Sequence, residues 1–443
     1  MPGGPKQAVD THTLTMVALS ATGGAFIEYY DFFIYGYAAS TAFPAIFFPS
    51  LPPTQALLFS FLAFGAGFPA RLIGAFLFGH FGDRIGRKFT FMVNIIIVGA
   101  TTCLTGLLPG YAKLGILAPI LLVVLRIVQG IGIGGEFGGA SSLLGEFAAQ
   151  RSRRAFWMSL ASLGVPLGSI SASVVLLAMS KTFTTSGWRV AMLLSVVIVI
   201  PALLARYKLT DSSLFEQLKQ TDKLDALPSF GVLKHHPRSV ILLALVWAFQ
   251  SMGGYTAGTY FISFMRFAGI SLATTATILL VAKVGSLLGI LASGPTADLF
   301  KRRVAAYIGI GLTTLLSYPL TLAVLNKRIA LVILLEILVN FFLMGILLGL
   351  APILTCESFP TKFRYSGSGI SFYFAGVLGG MVAPSLLTGL IGQDVFHKWY
   401  YVPIVYGIYC AVAMLALRFV RETRDLKLGD LDQTESALRT VRA

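Results

Sequence analysis

Seven ionisable residues stand inside long apolar runs of the sequence: Glu28, Asp31, Arg71, Arg126, Glu136, Lys283 and Glu336. In hydrocarbon each charge costs about 2.5–3.5 kcal/mol even on the mildest insertion scale, so such residues need partners or a wet cavity. Glu28 and Asp31 are three apart, which puts both carboxylates on one face of a helix. Such a pair does not easily stay doubly ionised, and one member is expected to hold a proton, as a proton carrier must. Asp31 is the first candidate, with Arg126 tuning it by proximity and with Glu28 and Glu136 next in line. Arg71, Arg126 and Lys283 are the cations available to hold a carboxylate. Lys283 either pairs with Glu336, two helices further on, or meets a solute directly. Tyr30, Tyr255 and Tyr373 are candidate pocket aromatics, the last two beside glycines. The plainer reading of the same charges is that buried acid–base pairs tie helices together.

Such residues must be positioned by the elements around them. Of the 443 residues, 56% are apolar and only 12% charged, about half the charge of a soluble domain. Mean hydropathy is +0.80, and the solvent for most of the chain is lipid. Apolar runs begin near Leu14, Gln55, Phe89, Gly115, Ala155 and Gly187, and again near Ser239, Ser271, Val304, Ala330, Ser366 and Trp399. An all-α membrane protein of twelve transmembrane helices in two six-helix halves is therefore expected: residues 1–205, a central linker 206–238, residues 239–420, and a tail 421–443. Alternate loops divide the Lys and Arg residues 24 to 7, which predicts a cytoplasmic linker and two cytoplasmic termini.

The loops also repeat. Asp83 is followed at +4 by Arg87 and Asp298 at +4 by Arg302, while Glu146 is followed at +7 by Arg153 and Glu357 at +7 by Arg364. An internal duplication of this kind is common in secondary transporters, with the solute site at the interface between the halves. The first copy reads Gly79-His-Phe-Gly-Asp-Arg-Ile-Gly-Arg-Lys88. Its glycines, Gly79 and Gly86 among them, let helix ends approach, while Asp83, Arg84 and Arg87 supply a charge latch at the cytoplasmic mouth. The second copy, Gly294-Pro-Thr-Ala-Asp-Leu-Phe-Lys-Arg-Arg303, lacks the inner glycines.

On these motifs the chain resembles the major facilitator superfamily. Glu28-Tyr-Tyr-Asp-Phe-Phe-Ile-Tyr-Gly36, the stretch from Arg126 to Gly139, Arg71-Leu-Ile-Gly74 and Phe359-Pro-Thr-Lys-Phe-Arg-Tyr-Ser-Gly367 are similar to signatures of its metabolite:proton symporter family. That resemblance implies inward transport of organic acids or zwitterionic solutes together with protons. Tyr29 and Phe137 stand where the family often has Trp, and Lys283 is a mid-span cation outside the family pattern.

Other classes fit less well. The string Gly130-x-Gly132-x-x-Gly135 matches a dinucleotide fingerprint, but it lies within a helical apolar run without the strand that fold requires. Its glycines at 130, 134 and 138 suit tight helix contacts. Cys103, Cys356 and Cys410 are scattered, and neither a metal site nor any cofactor is expected. Basic residues dealt out between apolar runs argue for lipid rather than nucleic acid as partner, despite a net charge of +15. No nucleophile–base spacing suggests an enzyme. The sequence points to a proton-coupled symporter of a small carboxylate-bearing metabolite in the cell membrane, for which a monomer suffices. The rivals are a zwitterion symporter, a proton-independent facilitator and a membrane sensor with a transporter fold.

Overall fold

The computed structural model describes the backbone of residues 11–84, 87–149, 153–207 and 228–425, with side chains other than those at 82–89, 91, 201, 202, 204–207 and 228. Twelve membrane-length helical segments appear in it: α1 (Thr11–Thr41), α2 (Pro53–Phe81), α3 (Arg87–Leu107), α4 (Leu117–Ala148), α5 (Arg154–Ala178) and α6 (Phe183–Ile200), then α7 (Pro237–Phe267), α8 (Leu272–Leu299), α9 (Arg302–Leu325), α10 (Ile329–Cys356), α11 (Thr361–Ile391) and α12 (Val395–Phe419). Ten are apolar enough throughout to cross a bilayer on composition alone. The exceptions are α1, which carries Glu28 and Asp31, and α3, whose apolar part is the shorter Met92–Leu107.

Several of these helices are not regular. The fourth breaks after Ile133 and restarts at Glu136. Wider π-helical turns interrupt α7 at Thr256–Tyr260, α10 at Phe341–Leu347 and α11 at Gly376–Met381. Such bulges free backbone groups and collect at functional sites. In lipid they persist only where neighbouring protein satisfies the freed groups.

The halves meet along α1, α2, α4 and α5 on one side and α7, α8, α10 and α11 on the other. They touch at both ends of the bundle. At the end carrying the repeated loops, here called the latch end, a Cβ on Gly138 would stand 2.6 Å from the Tyr365 carbonyl oxygen, so only glycine admits that approach. At the far end a Cβ on Gly36 of α1 would stand 2.6 Å from the Thr259 methyl of α7.

Part of the expected linker lies among the described residues. A short helix, Pro228–His235, lies at the latch end. Ser229 donates to the Phe76 carbonyl of α2 (3.0 Å) and lies 3.3 Å from the Ser366 hydroxyl of α11, while Val232 is fully buried. The glycine string of α4 behaves as its spacing predicts: Gly130 and Gly134 pack on α2, and Gly138 on α11.

Candidate functional site

At the centre of the first half, Arg71 of α2 pairs with Glu28 of α1 (Nη1 to Oε1, 3.1 Å). Arg126 of α4 takes a different course. Its Nε donates to the Phe64 carbonyl (3.2 Å) and its Nη1 to Gln129 Oε1 (2.6 Å). Gln129 Nε2 then donates to Thr102 Oγ1 (2.6 Å), and Thr102 Oγ1 lies 2.8 Å from Asp31 Oδ2. Arg126 thus reaches Asp31 through an amide and a hydroxyl, with all four groups buried. Glu28 and Asp31, neighbours on α1, are drawn to different partners.

Aromatic rings enclose both guanidiniums. Arg71 lies over Phe32 (5.1 Å) and Phe68 (5.5 Å), and Arg126 over Tyr35 (4.3 Å) and Phe64 (4.8 Å). Tyr255 of α7 closes the box from the other half, 4.6 Å from Phe32 and 4.8 Å from Phe68 by ring centroids. Two planar cations over aromatic faces, away from bulk water, form a receptor suited to a carboxylate.

Glu136 begins the second segment of α4 and, with Glu28, lines a cavity of about 40 Å³ bounded also by Tyr29, Phe137, Ser141 and Phe372. That is room for water and far below the several hundred Å³ of a metabolite pocket. The break in α4 is satisfied from the opposite half. Tyr373 of α11 donates to the Ile133 carbonyl (2.8 Å) and accepts from the Phe137 amide (3.2 Å), and Tyr365 donates to the Gly135 carbonyl (2.6 Å). Removing the Tyr373 hydroxyl strands two buried backbone groups, each worth about 1–3 kcal/mol. Tyr373→Phe is therefore expected to favour states in which α4 and α11 separate. Protease or maleimide access at the latch end should rise in that variant, and unchanged access would show that Tyr373 is not a staple.

The latch end holds a second network. Glu357 at the end of α10 binds Arg154 of α5 (2.5 Å), Arg302 of α9 (3.4 Å) and the Thr423 hydroxyl (2.5 Å). Glu146 of α4 lies 3.9 Å from Arg364 of α11. Asp298 pairs with Arg302 (3.8 Å) and accepts from the Ala155 and Phe156 amides at the start of α5. It thereby caps, from the second half, the N-terminus of a helix in the first. Glu422, in the expected tail, likewise accepts from the Arg302 and Arg303 amides.

The structure revises several sequence expectations. Among the repeated loop residues Arg153 is exposed, and the neighbouring Arg154 is the one that engages Glu357. The bridges Glu357–Arg154 and Glu146–Arg364 both cross between the halves. Tyr30 does not join the central box, since its hydroxyl donates to the Ala191 carbonyl of α6 (2.8 Å). Lys283 forms no ion pair with Glu336 among the described residues; Asn340 stands between them. Lys283 Nζ donates to Asn340 Oδ1 (3.1 Å), Asn340 Nδ2 donates to Glu336 Oε2 (3.0 Å), and the ammonium lies 5.0 Å from the Phe33 ring of α1. Gly79 lies against the hydroxyls of Ser229 and Ser366. Asp83, Arg84, Gly86 and Arg87 of the first latch copy fall at positions whose side chains lie outside the described residues.

The profile of the Major Facilitator Superfamily matches residues 21–384. The chain belongs to that superfamily. Among relatives, the inner membrane metabolite transport protein YhjE of Escherichia coli (strain K12) is 35% identical over 426 residues, covering 93% of this chain and 95% of that one. The shikimate transporter of the same organism is 30% identical over 415 residues, covering 92% and 94%. A solved structure of the proton:xylose symporter XylE, bound to 6-bromo-6-deoxy-D-glucose, superposes with a TM-score of 0.74 at 17% identity, over 96% of this chain and 99% of that one. As a Major Facilitator Superfamily member the protein is a multi-pass membrane transporter of metabolites and not an enzyme. The halves of this superfamily member meet at the Arg71–Arg126 box.

Sequence reasoning missed Gln129, Thr102, Asn340, Tyr365 and the aromatic box. Gln129 and Asn340 carried a signal, standing one helical turn after Arg126 and Glu336. Thr102 and the rings did not, because their role depends on which helices adjoin.

Proposed function

We propose that the protein is a proton-coupled symporter of a small carboxylate-bearing metabolite, working by alternating access with the latch end and both termini in the cytoplasm. The observation that carries this reading is Arg71. One guanidinium nitrogen is held by Glu28, while Nη2 is buried and has no hydrogen-bond partner among the described residues, beside Phe32, Phe68 and Tyr255 at the interface of the halves. A carboxylate entering there supplies the missing acceptor. The aromatic faces that would cradle the quaternary ammonium of a zwitterion already carry Arg71 and Arg126, which favours an acid over a betaine. Arg126 and Arg71 hold the anion from the first half, Tyr255 and Tyr373 wall it from the second, and Lys283, over Phe33 of α1, adds a positive field.

Asp31 is the proton acceptor in this reading. Thr102 Oγ1 lies within hydrogen-bond distance of both Asp31 Oδ2 and the Val98 carbonyl (2.9 Å), yet a hydroxyl has one proton to donate. With Asp31 ionised, Thr102 donates to it. With Asp31 protonated, Asp31 donates to Thr102, whose own proton turns to Val98. Both charge states fit without moving a heavy atom.

Uptake of labelled shikimate, other organic acids and proline into energised vesicles, with and without an uncoupler, tests the reading. An acid that accumulates uphill and loses accumulation on uncoupling supports it; accumulation insensitive to the uncoupler would establish a facilitator or another driving ion. Arg71→Lys keeps the charge but loses the planar fork. It is expected to raise the Michaelis constant for the acid about tenfold or more, the equivalent of one charge-assisted hydrogen bond; an unchanged constant would remove Arg71 from the site.

A further inference from the structure

We propose that the second half contains a proton-binding centre of its own, Glu336 linked through Asn340 to Lys283. Sequence and geometry support it together. The offset of 211 residues that carries Glu146 onto Glu357 also carries Gln129 onto Asn340, and an offset of 210 carries Arg126 onto Glu336. In the first half, α4 presents a cation followed one turn later by an amide. In the second, α10 presents an anion followed one turn later by an amide. The amides work alike. Gln129 accepts from Arg126 and points its NH2 toward Asp31 through Thr102; Asn340 accepts from Lys283 and points its NH2 at Glu336. Ser286 adds a second donor to Asn340 Oδ1 (3.2 Å). In both halves an amide on the equivalent helix, α4 or α10, links a charge one turn before it to a charge of opposite sign on another helix, α1 in the first half and α8 in the second.

The local chemistry favours a site that changes its proton content over a fixed tie. Glu336 is 0% and Lys283 2% exposed, so neither charge is solvated. A structural bridge would close the two directly and use every lone pair. Here the carboxylate and ammonium are held apart by an amide, and Glu336 Oε1 has no hydrogen-bond partner among the described residues. Around Glu336 stand Lys283 of α8, Asn340 of its own helix and Tyr406 of α12, whose hydroxyl is turned to the Gly253 carbonyl of α7 (3.4 Å). From α9 the buried polar residues are Thr313, Ser317 and Thr321, with Arg302 engaged at the latch. Phe33 of α1 covers the ammonium.

In the step itself an O–H bond of hydronium breaks as its proton bonds to Glu336 Oε1, water is released, and the charge of the centre rises by one. Lys283 is then left without a counter-ion beside the cleft, so protonation of the second half raises its attraction for an anion. This adds to the Asp31 chemistry a second acid that responds to pH.

The experiment uses the purified full-length protein in lipid and needs no substrate, so it stands or falls apart from the transport reading. The carboxylic C=O infrared band is followed through a pH titration. Glu336→Gln is expected to remove one titrating component that Asp31→Asn and Glu28→Gln retain. Lys283→Gln is expected to move the midpoint of that component to higher pH by about one unit or more, because a neighbouring cation that favoured the ionised form is gone. Asn340→Ala should move it in the same direction. Titrating components identical in Glu336→Gln and wild type would overturn the proposal. Should Glu336→Gln fail to fold, midpoints unmoved in both Lys283→Gln and Asn340→Ala would overturn it equally, since a purely structural tie predicts no titrating component there.

Discussion

Asp31→Asn is expected to abolish uphill accumulation driven by a pH gradient while retaining exchange of internal for external substrate. The carboxamide is nearly isosteric and can still meet Thr102, so the helices need not move. What is lost is the change of charge at the far end of the Arg126–Gln129–Thr102 relay. Without it, loading of the carrier no longer depends on a proton, and only the solute's own gradient drives net flux. Accumulation should fall to the equilibrium level, indistinguishable from wild type with an uncoupler, while counterflow in preloaded vesicles continues. Thr102→Val, which keeps the carboxylate but removes the switchable hydroxyl, should shift the pH dependence of uptake without abolishing it. Uphill uptake surviving in Asp31→Asn would move coupling to Glu28 or Glu136, which share the neighbouring cavity.

Glu357→Gln is expected to open the latch end. The carboxylate holds Arg154 across the interface between the halves and Arg302 and Thr423 beside it, and removing one partner of a buried charge network costs about 3–5 kcal/mol. That cost falls on the closed latch only, so the balance should move toward the state open at this end by about a hundredfold or more. Cys356, adjacent in sequence, is a native reporter: it is 0% exposed, and a Cβ on Gly145 of the opposite half would stand 2.5 Å from its sulfur. With Cys103 and Cys410 replaced by Ser, maleimide labelling of Cys356 should be slow in the parent and at least tenfold faster in Glu357→Gln, and transport should slow because the carrier leaves the open state less often. Exchanging the charges as Arg154→Glu with Glu357→Arg should recover part of both. Labelling at the parent rate in Glu357→Gln would end the gating role.

Composition and periodicity were sufficient for the membrane class, the helix count and the duplication, because a bilayer leaves the chain few solutions. Every backbone group must be satisfied within the span, and about twenty apolar residues mark each one. The structure bears out the membrane class and the helix count, with helices beginning close to the predicted positions. The seven mid-span charges could also be named in advance, since each is costly enough to require a purpose. Their partners could not. Glu28 and Asp31 share a helix face, yet one meets Arg71 of α2 and the other meets Thr102 of α3. The repeated +7 spacing singled out Arg153, whereas the arginine that bridges to Glu357 across the halves is Arg154. Arg154 is the first residue of α5 and reaches the interface, while Arg153 precedes it in non-helical backbone and is exposed, a distinction set by where the helix starts. Charge alone left Lys283 either to pair with Glu336 or to meet the solute, but Asn340 is in place between the two because α8 and α10 pack closely enough for one amide to bridge both. Sequence determines which groups are too costly to leave unpartnered. Which group answers each depends on the rotation and approach of helices far apart in the chain, and only the folded bundle decides that.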